Sequence, residues 1–258
     1  MKITLFTSNQ NRHVYLINKL AKISKVLNVV LETRTIFTGA KESYYKKDKL
    51  IKDYFKKVNN AEKKIFDPQF IDGRNKNINI LPIQMGDLKD LKKKNITKFL
   101  NSDIYIVFGS TYIKGDLVKF LVKNKAINIH MGVSPYYRGT DCNFWALHDK
   151  NPQYVGATIH YLTSGLDSGP IIYHALSKYQ KDSFMYSMST AKSAIDSLVN
   201  KIQKKTIYKI KPTMQNKKLE VRYSKLKEFN KKSILKHNTF VKKFNFNKKD
   251  YIHPIIFD

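Results

Sequence analysis

The chain has 258 residues, 42% hydrophobic content and a formal net charge of +28. That is enough for one domain of moderate size with a real core, plus an appendage. No apolar run reaches the length of a membrane span, and Met1-Lys2-Ile3-Thr4-Leu5-Phe6-Thr7 is too short and too polar for a signal peptide.

Cys142 is the single cysteine. It excludes an internal disulfide and the usual cysteine-type zinc site, and it fits a reducing cytoplasm. The charge has two readings. A polyanion such as tRNA would be attracted to it. Yet only five of the 48 basic residues are Arg, and Lys is spread through every segment. Readers of bases and phosphates favour the bidentate Arg fork, so compositional drift explains the lysines better. Lys clusters at 41–64, 89–98 and 201–249 keep the tRNA reading open.

In chain order, residues 2–7 alternate as a first strand, and Ser8-Asn9-Gln10 can cap a helix running through Val14, Leu16, Ile17, Leu20 and Ala21. Residues 26–33 read as a second strand, which makes a parallel βαβ unit. A helix over 42–66 places Leu50, Ile51, Tyr54, Phe55, Val58, Ala61 and Ile65 on one face, and Pro68 closes it. A third strand at 78–82 ends at Pro82, and Gly86-Asp87 opens a short helix. Ile104 to Phe108 is a continuous apolar strand of the kind buried on both faces. A helix over Leu117, Val118, Phe120 and Leu121 leads to a strand ending at His130.

Beyond it, Phe144-Trp145-Ala146-Leu147 is helical, Val155 to Leu162 a strand and Ile171-Ile172-Tyr173-His174 another. Asp182-Ser183 caps a helix with apolar residues from 184 to 202. From 205 the pattern weakens, and only Leu219 to Tyr223 reads as a strand. The expected fold is α/β, a mostly parallel Rossmann-like sheet flanked by helices. A domain at 1–204 carries a small extension at 205–258.

Seven of the ten glycines lie between 109 and 169, which marks shaped loops there. Two of these loops carry candidate chemistry. Asn128 and His130 share one face at the carboxyl end of a strand, where open α/β sheets bind ligands. Asp167 sits in the Gly-bracketed loop Thr163-Ser164-Gly165-Leu166-Asp167-Ser168-Gly169. An imidazole can act as general base, an amide can hold an oxyanion, and a carboxylate can raise and orient the imidazole. Alone, each residue has a structural reading: a satisfied core histidine, a loop-pinning amide, a turn aspartate. Together they suit acyl transfer from a bound donor to a bound amine, because no nucleophile elbow, P-loop, G-x-G-x-x-G or HExxH is present. Seven scattered His residues give little case for a metal.

At these residues the chain resembles the folate-dependent formyltransferases. These include glycinamide ribonucleotide transformylases, methionyl-tRNA formyltransferases and sugar-nucleotide N-formyltransferases. The resemblance rests on Asn128-Ile129-His130, Pro135-Tyr136-Tyr137-Arg138-Gly139, Gly156-Ala157-Thr158 and Gly165-Leu166-Asp167-Ser168-Gly169. It covers roughly 1–200 and is strongest over 103–174.

The resemblance implies a 10-formyltetrahydrofolate co-substrate and a triad of Asn128, His130 and Asp167. It aligns Gly109, Tyr112, Ile113 and Lys114 with the strand-end loop of the pterin pocket. Thr163, Ser164, Gly165 and Leu166 align with the loop against the pterin ring. Met131-Gly132-Val133-Ser134 departs from the family's P-S-L-L. Gly132 is expected to open space beside His130, and Tyr137, Arg138 and Trp145 join it on the acceptor side. The aromatic set Tyr136, Tyr137, Phe144 and Trp145 reads as core or as a stacking wall.

About 55 residues follow position 203, which is short for the C-terminal barrel of the tRNA enzymes and longer than a minimal glycinamide enzyme needs. The acceptor is therefore expected to be a small amine, a nucleotide-linked amino sugar. Methionyl-tRNA is the second reading. A formyltetrahydrofolate hydrolase and a basic RNA-binding protein on a degenerate scaffold are readings of other classes. The tail could pair two copies into a homodimer. No membrane partner is expected.

Overall fold

The apolar runs build the sheet. The computed structural model describes residues 1–33 and 48–243, with the backbone alone at 242 and 243. Strands β1 (Lys2–Ser8), β2 (Val26–Thr33), β3 (Ile78–Gln84), β4 (Ile104–Phe108), β5 (Ile127–His130), β7 (Ala157–Tyr161) and β8 (Ile171–Ala175) form one seven-stranded sheet in the order β3-β2-β1-β4-β5-β7-β8. The first five in that order are parallel, while β7 runs antiparallel to both its neighbours. The expected mostly parallel α/β sheet is present. β6 (Tyr137–Gly139) and β9 (Arg222–Ser224) form a separate parallel pair.

Alternation along the strands sends side chains into two layers. Ile3, Leu5, Ile106, Ile127 and Ile129 pack with helices α1 (Asn11–Ala21), α2 (Lys49–Phe66) and α5 (Ser183–Gln203). Phe6, Val30, Tyr105 and Val107 pack on the other face with α3 (Gly115–Lys123) and the 3-10 turns Asp87–Lys89 and Lys93–Leu100. A third cluster joins α2, α4 (Cys142–His148), α5 and α6 (Lys231–Lys243) around Ile51, Tyr137, Phe144, Trp145, Tyr186 and Ile234. No helix of the described residues is long and apolar enough to cross a membrane.

Several boundaries differ from expectation for physical reasons. Ser8 and Asn9 do not cap α1; Gln10 occupies the N-cap position without a side-chain cap bond, and its amide oxygen accepts from Arg12 instead. α2 begins at Lys49, where Asp48 accepts from the Leu50 and Ile51 amides, and residues 42–47 of the expected helix lie outside the described residues. β3 continues through Pro82 to Gln84, because β3 is an edge strand and the missing N–H costs no ladder bond on its open side.

The extension is more ordered than its sequence pattern. β9 is shifted onto Arg222–Ser224, and α6 was not expected at all. At the start of α6, Asn230 Oδ1 accepts from the Ser233 amide while Ser233 Oγ accepts from the Asn230 amide. Residues 205–243 pack on the rest of the chain: β9 pairs with β6, and Thr213 bridges Ile171 of β8. Residues 244–258 lie outside the described residues.

Candidate active site

Because Ile127 and Ile129 are committed to the core, Asn128 and His130 point to the opposite face of β5. The antiparallel pairing sets His160 of β7 directly across from Asn128. The loop from Leu162 to Pro170 then folds back over this face and delivers Asp167. Its backbone is left-handed at φ 47°, a conformation that Asp tolerates better than most residues.

One carboxylate oxygen gathers the group. Asp167 Oδ1 lies 3.3 Å from His130 Nδ1, 3.4 Å from Asn128 Nδ2 and 3.9 Å from His160 Nε2. Asp167 Oδ2 accepts from the Gly139 amide at 3.4 Å, which ties the loop to β6. His130 Nε2 faces the Tyr137 carbonyl at 3.2 Å and the Cys142 sulfur at 3.5 Å. Acceptors thus stand at both ring nitrogens, an arrangement that suits the doubly protonated imidazolium. Burial works against that charge, but the Asp167 carboxylate, with Cys142 behind it, outweighs burial and holds the imidazole well above its ordinary range. Asp167 is correspondingly lowered: burial would raise it, and His130, His160 and the Gly139 amide overcome that.

His160 is the opposite case. Burial pushes it down to about 4, only partly offset by Asp167, so the ring is neutral. Its Nδ1 lies 2.8 Å from the Tyr161 carbonyl and so carries the proton. Nε2 is then left as an acceptor, and Asn128 Nδ2 donates to it at 3.0 Å. This fixes the Asn128 amide: flipped, its oxygen would meet a lone pair and a carboxylate.

Beside His130 a cavity of about 250 Å³ opens between α1, α2, α4, α5 and α6. Tyr54, Phe55, Phe144, Phe184 and His237 wall it with aromatic surface, and Arg12, Asp141, Cys142, Asn143 and Ser187 supply polar groups. Tyr54 meets Phe144 and Phe184 edge to face, at 5.7 Å and 5.2 Å between ring centres.

The family model for formyl transferase matches residues 87–195, the span that holds Asn128, His130, His160 and Asp167. Residues 87–195 are thus similar in sequence to the formyl transferase family. The whole described fold is similar to solved structures of such enzymes. A sugar N-formyltransferase from Shewanella is 16% identical over 89% of this chain and 78% of its own, with a TM-score of 0.55. An N-formyltransferase from Helicobacter canadensis, in complex with folinic acid and dTDP-3-aminofucose, is 16% identical over 95% of this chain and 81% of its own, with a TM-score of 0.57. A phosphoribosylglycinamide formyltransferase from Anaplasma phagocytophilum is 18% identical over 87% of this chain and 95% of its own, at 0.52. At these identities the likeness is one of fold.

Within the matched span, Asn128, His130 and Asp167 come together as described. The two candidate folate segments also meet, since the Tyr112 hydroxyl donates to the Ser164 carbonyl at 2.6 Å. Tyr112, Lys114, Ser164, Gly165 and Leu166 are exposed on this rim, while Ile113 is buried and Thr163 half-buried. Gly109 at φ 62° ends β4 against the His13 ring, so a Cβ there would collide with His13. Glu32 pins the same loop, accepting from the Thr111 amide at 2.7 Å and the Gly86 amide at 3.0 Å.

The expected acceptor residues are placed differently. Gly132 opens no space beside His130: a Cβ would come within 2.5 Å of the Cys142 Cβ and 2.7 Å of His130 Nε2, because Cys142 fills the gap. Tyr137 and Trp145 are core residues, the first bonded from Asn151 at its hydroxyl, the second under the Arg222 guanidinium at 4.3 Å. Arg138 holds Glu220 at 2.8 Å and the Leu166 carbonyl at 2.7 Å, linking the Asp167 loop to the extension. None of these four lines the cavity; Gly139, Cys142 and Phe144 do. His160 escaped the sequence reading. Its only sequence signal was alternation with Thr158, and the pairing that matters crosses 32 residues.

Proposed function

We propose that the protein transfers a formyl group from 10-formyltetrahydrofolate to the primary amine of a small acceptor, a nucleotide-linked amino sugar. The observation that carries this is the convergence of Asn128, His130 and His160 on Asp167 Oδ1, inside the span that matches the formyl transferase family model and beside an aromatic-walled cavity. The relative from Helicobacter canadensis, crystallised with folinic acid and dTDP-3-aminofucose, supports the ligand pair. The segments at 109–114 and 163–166 suit a flat heterocycle with polar edges. They offer the exposed residues Tyr112, Lys114, Ser164, Gly165 and Leu166.

Bound 10-formyltetrahydrofolate would supply the formyl carbon, on N10. This chain's residues hold the negative charge that develops on the formyl oxygen as the amine adds. His130 enters already charged, so it acts first as an electrostatic partner and proton donor. Asn128 keeps its 3.0 Å bond to His160 and releases the longer 3.4 Å contact to Asp167, freeing one N–H for that oxygen. Asp167 keeps the imidazolium in place. Holding two ligands against these groups supplies the remaining acceleration.

The test is tetrahydrofolate release by purified protein with no acceptor, with amino-sugar nucleotides and with methionyl-tRNA. Release only with an amino-sugar nucleotide is expected, reduced on the order of 100- to 1000-fold in His130→Ala or Asn128→Ala. Release with methionyl-tRNA alone would refute the acceptor. Release without any acceptor would refute transfer in favour of hydrolysis. The protein is further expected to work in the cytoplasm.

A further inference from the structure

Asp141 is a carboxylate that the triad does not use. It precedes Cys142, whose sulfur touches His130 Nε2 at 3.5 Å, and it lines the same cavity as His130. Its backbone is left-handed, φ 55° and ψ 36°, so the chain holds a non-glycine residue in an uncommon conformation beside the site. The carboxylate caps no helix amide, and among the described residues no cation pairs with it. The nearby Arg12 is taken: its guanidinium donates to Glu62 at 2.7 Å and to Gln10. Asp141 shows appreciable accessible surface although protein surrounds it closely. Part of that surface lines the cavity.

A formyl acceptor poses a proton problem. A primary amine on a sugar arrives largely as ammonium and cannot attack until it loses a proton. His130 is poorly suited to take it, being held protonated between Asp167 and the Tyr137 carbonyl. We propose that Asp141 receives the acceptor's ammonium group and takes its proton. This rests on the formyl-transfer reading.

The ammonium gives one proton to an Asp141 oxygen, leaving a neutral amine and a carboxylic acid. The nitrogen lone pair then forms the new C–N bond to the formyl carbon. The bond from that carbon to N10 breaks with its electrons going to N10, and the second amine proton passes to N10 through His130. Asp141 finally returns its proton to water. Burial supports the assignment by raising the Asp141 carboxyl to about 6, against the pull of Arg12, which suits proton exchange near neutrality. The aromatic faces of Tyr54, Phe144 and Phe184 would pack the sugar ring.

The first test needs no folate. Calorimetry compares dTDP-3-aminofucose with dTDP-fucose, which carries a hydroxyl in place of the amine. The native protein is expected to prefer the amine about tenfold, and Asp141→Asn to bind both equally with dTDP-fucose affinity kept. The preference should fade below pH 6 in the native protein and be flat in the variant. Arg12, Tyr54, His130, Cys142 and His237, the other titratable groups around the cavity, stay the same in both. The second test is activity against pH. Asp141→Asn should lose about 100-fold in kcat at neutral pH and regain most of it at alkaline pH, where the amine is already neutral.

A preference that survives in Asp141→Asn overturns the proposal, as does a native protein that binds neither sugar. A loss of kcat equal at every pH overturns the proton-accepting role. Tetrahydrofolate release judges the transfer reading separately. If the native protein shows the Asp141-dependent preference yet releases none, transfer fails while the docking carboxylate stands.

Discussion

A single oxygen, Asp167 Oδ1, separates two histidines into opposite charge states. His130 at 3.3 Å is raised and His160 at 3.9 Å is lowered, although both are buried. The difference lies in their other partners. His130 has a carbonyl at its far nitrogen, whereas His160 spends its one proton on Tyr161 and accepts a hydrogen bond from Asn128. His160 is thus a positioning residue for the Asn128 amide. In His160→Leu that amide loses its best acceptor, and kcat is expected to fall about tenfold with KM for 10-formyltetrahydrofolate little changed. Steady-state kinetics with the accepted amine checks this, and a rise in KM alone would refute it. That Asn128, His130 and Asp167 come together was legible because each sits in a local motif. His160 was not, because only antiparallel pairing brings it opposite Asn128.

The helices that wall the cavity are set by their caps and by the sheet beneath them. Asp182 accepts from the Phe184 and Met185 amides at 2.9 Å, fixing the start of α5 where Phe184 enters the cavity. Asp182→Ala should lower stability by about 1 kcal/mol, read from urea unfolding at neutral pH. An unchanged midpoint would mean that solvent replaces the cap. This cap and the strands of the parallel sheet were readable, since Asp-Ser before a helical period and uninterrupted apolar runs are local signals. α6 was obscured by its lysines: Ile234 and His237 are buried, but Leu235, between them, is exposed. The acceptor side is hard to read from sequence for a related reason. Aromatic residues near a motif can face a ligand or a neighbouring helix, and only the packing of α2, α5 and α6 decides which.

Across the whole molecule, charge and protonation separate into surface and interior effects. The +28 charge rests on lysines, and those of α2 at 52, 56, 57, 63 and 64 are exposed, as a solvated helix face requires. Inside, His237 of α6 stacks on Phe144 at 4.7 Å, and burial, only partly offset by its contact with Asn238, lowers it to about 4. A histidine lowered on folding stays neutral in the native state while the unfolded chain takes up a proton. Its contribution is therefore intact above about 6.5 and is lost as pH falls toward about 4. His160 behaves alike, whereas His130 and its raised value lose stability on the alkaline side instead. In His237→Phe the stability lost between pH 7 and pH 5 should shrink by roughly 2 kcal/mol relative to the native protein. Denaturant unfolding at both pH values measures it, and an equal loss in both proteins would exclude His237 as a source.

The pairing of β6 with β9 has a consequence for how the protein is made. β6 carries the Gly139 amide that holds Asp167, and its ladder partner ends at Ser224. The Tyr136 carbonyl, at the edge of the same loop, accepts from both Val221 and Arg222. A chain growing from its N-terminus therefore completes the sheet and the His130 strand well before it can fasten the loop that places the carboxylate. Closing so distant a contact is slow. Formyl transfer should consequently be acquired late in synthesis, and nascent chains stalled before Ser224 should be folded in the sheet yet inactive.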